Sequence, residues 1–143
     1  MYQQFTTELL ELTSFQLNHA VRPINQGWII ELVPNEQSYI CPLCLRPSIN
    51  HSRSKHRILK HLWVSTGKVI YVQVPVHRQR CHPCSLTWTV KWPGIPERGQ
   101  VTEHFKRMVS KKCIGQSFEG VARELQLPAS TVAHWFGSTN ILK

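Results

Sequence analysis

Four of the five cysteines stand in two Cys-x-x-Cys pairs, Cys41-Pro-Leu-Cys44 and Cys81-His-Pro-Cys84, with 36 residues between them. A Cys-x-x-Cys turn puts two sulfurs on one side of a tight loop, with backbone N–H groups aimed at them. Two such turns brought together make a tetrahedral four-thiolate site of the kind that holds structural zinc. The metal lowers the thiol pKa values and keeps the ligands as thiolates. Four sulfurs leave no open coordination position, so the spacing predicts one structural Zn2+ and no catalytic one. Two disulfides would require an oxidising compartment. A redox function needs only one such pair, in a strand–helix context that is absent. Iron–sulfur ligation finds no supporting spacing. Cys113 stands alone in a helical stretch and reads as a small core residue.

Histidines and acids add no second site. His51, His56 and His61 recur every five residues, which scatters them over different faces of a helix or a strand. His82 lies inside the second turn and is expected to point outward. All eight acids are glutamates, and the chain has no aspartate. That excludes a paired-aspartate metal clamp, an aspartate-containing triad and an EF-hand loop. No apolar run approaches the ~20 residues of a membrane span. The first residues, MYQQFTTELLELTSF, hold two glutamates and no basic segment, so they do not read as a secretory signal. The expected setting is reducing and cytoplasmic.

The charge is unevenly placed. Seventeen Lys and Arg against eight Glu give +9. Residues 46–112 hold fourteen of those cations against Glu97 and Glu103, a net of +12, while residues 1–45 carry −3 and residues 113–143 carry none. Such a middle third suits a polyanion. Four thiolates and one divalent ion would lower the total only to +7.

The elements that position these residues follow from periodicity. Thr6–Leu12 reads as a short helix and Gly27–Val33 as a strand. His56–Val64 and Lys68–Cys81 read as strands joined by the turn Ser65-Thr66-Gly67. Pro75 cannot donate to a ladder, which makes its strand an edge or a bulged one. Together these predict a zinc ribbon, small sheets stapled by one metal. Trp92-Pro93-Gly94-Ile95-Pro96 then breaks the pattern. Beyond it the period becomes helical over Val101–Cys113, over Ser117–Gln126 with Ser117 as N-cap, and over Ala129–Phe136 closed by Gly137. The last two helices predict a helix-turn-helix, with Ala122 at the crossing, Val132 packing back, and Gln126 where a glycine is preferred. Ala129, Ser130, Thr131, Ala133 and His134 would face a major groove.

The order LLELTSF, YICPLC, INHSRSKHRILKHL, a glycine turn, VIYVQVPVHRQRCHPC and a helix-turn-helix resembles the N-terminal region of ISL-three-type insertion-sequence transposases. The resemblance covers residues 6–137. Its most telling parts are Ser52-Arg53 after the first cysteine pair and the basic strand running into Cys81. Leu45 departs from it, where the family usually has glycine, and so does Ser54, where an aromatic is frequent. The resemblance implies a zinc ribbon and a helix-turn-helix that bind transposon-end DNA. In that family a DDE catalytic domain follows. Here the sequence stops just after the helical region and lacks aspartate, so no such chemistry is expected.

The sequence therefore predicts an α+β chain, a small zinc-ribbon β module followed by a helical helix-turn-helix module. Its divisions are residues 1–91, a linker 92–98 and residues 99–143. The expected function is sequence-specific binding of double-stranded DNA at transposon ends or promoters, by occupancy and without catalysis. Cys41, Cys44, Cys81 and Cys84 would hold zinc. Arg46, Arg53, Lys55, Arg57, Lys60, Arg78 and Arg80 would grip phosphates or enter a groove. Lys106, Arg107, Lys111 and Lys112 would steer the helical module, and Ser130, Thr131 and His134 would read bases. A transposase or other recombination or transcription machinery would be the further partner, and a homodimer would suit a palindromic site. The expected location is the bacterial nucleoid. The competing reading is a zinc-ribbon adaptor for RNA or a protein, with Trp88 and Trp92 available to stack on single-stranded bases.

Overall fold

Alternation of apolar and polar residues draws most of the chain into strands. The computed structural model describes residues 12, 14–35, 38–51, 55–65 and 67–138. In chain order these form β1 (Phe15–Ile24), β2 (Gly27–Pro34), β3 (Ile49–Asn50), β4 (Lys55–Ser65), β5 (Lys68–Val76), β6 (Arg78–Cys81) and β7 (Leu86–Thr89). Three helices follow: α1 (Glu103–Lys112), α2 (Phe118–Leu125) and α3 (Ala129–Ser138). The expected helix over residues 6–12 falls, but for Leu12, outside the described residues, as do Ser52, Arg53 and Ser54.

Two sheets result. The larger has the order β1-β2-β5-β4, and the smaller β3-β6-β7. All pairs are antiparallel except β2 with β5, which run parallel from Gly27↔Val69 to Glu31↔Gln73. Gly27 makes that approach feasible. Its φ is +137°, and a Cβ there would lie 1.9 Å from the Val69 carbonyl oxygen. β5 is a central strand despite Pro75, because the pairing with β2 ends at Gln73. Beyond that point only β4 accompanies β5, with Pro75 opposite His56.

β5 is buried on both faces. Val69 and Tyr71 join a core made with α1, α2 and α3, including Phe105, Val109, Val121, Leu125 and Val132. Ile70, Val72 and Val74 join a second core with Phe15, Leu32, Leu59, Trp92 and Ile95. His61 is fully buried, with Nδ1 2.8 Å from the Thr102 hydroxyl. The start of α1 covers this part of β4 and places His61 inside the molecule.

The structure departs from the expected α+β arrangement of two modules. The chain is sheet-rich, 41% strand against 23% helix, with a small helical part at its C-terminal end. It is not a β module followed by a helix-turn-helix module. Val101 bridges Lys60 of β4 in strand fashion, and Thr102 N donates to Lys60 O at 3.0 Å. α1 then begins two residues later than its period suggests, capped by the Thr102 hydroxyl. The helices bury their apolar faces against Val69, Trp63 and Tyr71 of the larger sheet. Three helices of ten, eight and ten residues cannot enclose a sufficient core alone, and the sheet supplies what they lack. Within this part Ser117 caps α2 as expected, Ala122 and Val132 are buried together, and Gln126 takes the left-handed conformation at φ 58°.

Candidate metal centre and its basic face

The smaller sheet brings the two cysteine pairs together. Antiparallel pairing sets Ile40 against Pro47, and Ser48 N donates to Tyr39 O at 2.9 Å, so the first pair sits in a hairpin turn. The second pair sits between β6 and β7, whose register runs from Arg78↔Thr89 to Cys81↔Leu86. Each turn ends the same way: Leu45 and Ser85, the residues after Cys44 and Cys84, both adopt positive φ, 61° and 51°. Leu45 N donates to Cys41 O at 2.9 Å and Ser85 N to His82 O at 3.2 Å.

The Sγ atoms of Cys41, Cys44, Cys81 and Cys84 all lie within 4.8 Å of one another. Cys44 Sγ and Cys81 Sγ are 3.5 Å apart, and all four cysteines are free thiols. A disulfide needs about 2.05 Å. A tetrahedral ion with metal–sulfur bonds of about 2.3 Å sets sulfurs about 3.8 Å apart, so the donor set fits a metal ion. Cys113 is buried in the helical core, away from this group.

The thiols are electrostatically unequal before a metal arrives. A backbone N–H of Cys44 stabilises the Cys41 thiolate and brings its pKa down to about 7. Cys84 is pushed up to about 12, chiefly by its hydrogen-bonded contact with Cys44 and then by burial. At Cys81 the N–H of Cys84 lowers the value, but burial and the neighbouring Cys44 and Cys41 thiols outweigh it, leaving it above the usual range. Negative charge already on one sulfur opposes ionisation of the next. A cation removes that conflict.

Gln79, a functional residue that no motif marks, ties the two turns together. It is buried, donates to Asn50 Oδ1 at 2.7 Å, and accepts from the Ser48 hydroxyl at 2.8 Å. The alternation in Arg78-Gln79-Arg80-Cys81 is the signal that could have found it. Successive strand residues face opposite ways, so Gln79 shares the Cys81 face and the two arginines share the other.

Opposed residues of an antiparallel pair share a face. Arg78 therefore lies beside Thr89, and Arg80 beside Thr87 and Ile49. Arg80 Nε is buried with no hydrogen-bond partner. Among the described residues, the Arg78 side chain makes a long 3.5 Å contact to the Thr89 hydroxyl. Residues 38–51 and 77–90, which form this sheet and its turns, contain Arg46, Arg78 and Arg80 and no carboxylate.

The other expected contact residues are dispersed. Arg46 and Lys55 are exposed, and Lys60 is half-buried at the Val101 bridge. The Arg57 guanidinium donates to Pro96 O at 2.7 Å and Gly99 O at 2.9 Å, which pins residues 96–99 against β4. On α1, Arg107 and Lys111 are exposed and Lys106 is half-buried. Lys112 pairs with Glu124 at 3.2 Å and lies 4.1 Å over the Trp63 ring. On α3, Ser130 and His134 are exposed and Thr131 is half-buried. His82 is exposed, as expected of a residue inside the turn. Trp92 packs on Phe15 and His77, with ring centroids 5.1 and 5.8 Å away.

Comparison of the chain with protein-family models, with curated proteins and with solved structures finds no match. Among the described residues, no helix is long and apolar enough to cross a membrane.

Proposed function

We propose that the four cysteines bind zinc and that the small sheet they clamp grips double-stranded DNA. The observation that carries this reading is the arginine face of β6. Arg78 and Arg80 project from the same side of a strand whose other side ends in the ligand Cys81, and Arg80 Nε is buried without an acceptor. Arg78 is exposed, so its guanidinium is open to a phosphate oxygen. Neither turn holds a carboxylate to pair with that charge.

Four thiolates without a fourth-position water favour a structural zinc, so the metal shapes the face rather than reacting. The protein acts by occupying DNA, and it meets recombination or transcription machinery there. The resemblance to the DNA-end-binding region of ISL-three-type transposases points the same way. A nucleoid location follows from this reading. The larger sheet and its helices serve as the rigid platform from which β5 passes directly into β6, with only His77 between them.

The test is retention of fragmented genomic DNA by the zinc-loaded protein at about physiological salt, where nonspecific binding is weak. Enrichment of an element border or promoter supports the reading. Arg78→Ala and Arg80→Ala should each weaken binding and lower the salt slope by about one. Unchanged binding in both variants would remove β6 from the interface.

A further inference from the structure

The first cysteine turn is apolar where it should be plain. Leu43 and Leu45 are 71% and 74% exposed, more than any other large apolar residue described, and Ile40 and Ile49 beside them are 61% and 51% exposed. Leu45 also sits at φ 61°. Glycine enters that left-handed region freely, whereas a Cβ-bearing residue such as leucine is strained there. Ser85, at the equivalent place in the second turn, tolerates it with a small polar side chain. Leu45 is too exposed for packing to offset its strain. A strained, solvent-facing leucine is a cost to the folded chain unless its side chain meets something else.

What it meets is indicated by the surrounding charge. Arg46 follows Leu45 and is exposed. Ile49 shares the face of Arg80, and Ile40 and Pro47 continue that face towards the turn through their own pairing. The apolar tip is therefore the end of the arginine face, with no carboxylate in residues 38–51. A partner must offer negative charge beside an apolar interior. In duplex DNA that interior lies between stacked base pairs, and exposed leucines at the end of a basic surface are the side chains that enter it.

We infer that Leu43 and Leu45 form a wedge that enters a base step of the bound duplex, unstacks it and bends the DNA. This rests on the proposed DNA-binding reading and adds a deformation of the target to it. Specificity then comes in part from how readily a step opens, so flexible pyrimidine–purine steps are preferred at the wedge.

The test uses the full zinc-loaded chain and two duplexes of one sequence, fully paired or carrying a single mismatched step, each with fluorophores at its two ends. Wild type should shorten the end-to-end distance of the paired duplex and bind the mismatched one about tenfold more tightly, because part of the unstacking is already done. Leu45→Gly relieves the backbone strain, so it should fold at least as well as wild type. It should lose most of the bending and most of the mismatch preference while keeping the wild-type salt slope, since no cation is removed. Leu43→Ser, also on an exposed site, should act in the same direction. Wild-type binding that neither bends the duplex nor favours the mismatch overturns the wedge and leaves DNA binding standing. No binding to either duplex overturns the DNA reading itself. If Leu45→Gly bends DNA as wild type does but loses a concentration-dependent dimer, the wedge is overturned and the tip is a contact between copies.

Discussion

Chelation of the metal should dismantle the small sheet and leave the larger one intact. The two apolar cores draw their buried residues from Leu12, from β1, β2, β4 and β5, and from the segment 101–132. Neither contains a buried residue from 38–51 or 77–90. In those two segments the buried side chains are Cys41, Gln79 and Cys81. The small sheet thus has no apolar core of its own, and short strands without one are marginal in water. β3, β6 and β7 hold 2, 4 and 4 residues, against 10, 8, 11 and 9 in β1, β2, β4 and β5, so about a fifth of the strand content depends on the metal. A strong chelator should release one ion per chain and remove that share of the far-ultraviolet strand signal, with the helical signal kept. Hydrogen exchange should show amides of Gln79 and Thr87 losing protection while those of Val72 and Val109 retain it. Cys81→Ser should give the same pattern. Protection at Gln79 that survives full metal removal would refute this reasoning, and so would collapse of the Val72 amide together with it.

Proton release gives a second check. In the metal-free protein Cys84 at about 12 and Cys81 above its usual value both keep their protons at neutral pH, while Cys41 at about 7 is half ionised. Metal binding must displace at least those two protons, so apparent affinity should rise about a hundredfold or more per pH unit near pH 7 and fall away on acidification. Titration in two buffers of different ionisation enthalpy counts the protons directly. Gln79→Ala should leave Ser48 and Asn50 without their buried partner, cost about 1–3 kcal/mol locally, and speed metal loss to a colorimetric chelator. Phe105→Ala should cost about 3–5 kcal/mol, because Phe105 is buried against α3 with its ring edge-on to Trp135 at 6.1 Å. Sheet and helix signals should melt together at the lowered temperature. Separate transitions for helix and sheet would argue against the shared core.

Several features were legible in the residues alone. The cysteine spacing announced the thiolate cluster, because a Cys-x-x-Cys turn is local geometry that needs no knowledge of the rest of the chain. The alternation in Lys68–Cys81 announced one long strand, which the structure divides at His77 into β5 and β6, and Ser117 announced the cap of α2 from local pattern in the same way. Basic residues near Cys81 were visible as a run, but their shared face became meaningful only once β3 and β7 flanked β6. The Leu45 departure from glycine was also visible in the sequence. Its exposure and left-handed backbone were not, since neither is encoded by spacing.

Tertiary structure decided what lies between distant segments. Periodicity read the helices as a module of their own because an amphipathic face does not say what will cover it. Val69, Trp63 and Tyr71 of the larger sheet cover it, and the Lys60–Val101 bridge joins the two parts backbone to backbone. Likewise Pro75 marked a break in hydrogen bonding, but only the end of the β2 pairing at Gln73 explains how a central strand accommodates it. His61 and Arg57 carried charge or polarity that suited a surface, until α1 buried the one and the carbonyls of Pro96 and Gly99 engaged the other. Local chemistry is written in spacing over a few residues. Burial and partnership are set by contacts across tens of residues, and only the folded chain brings those together.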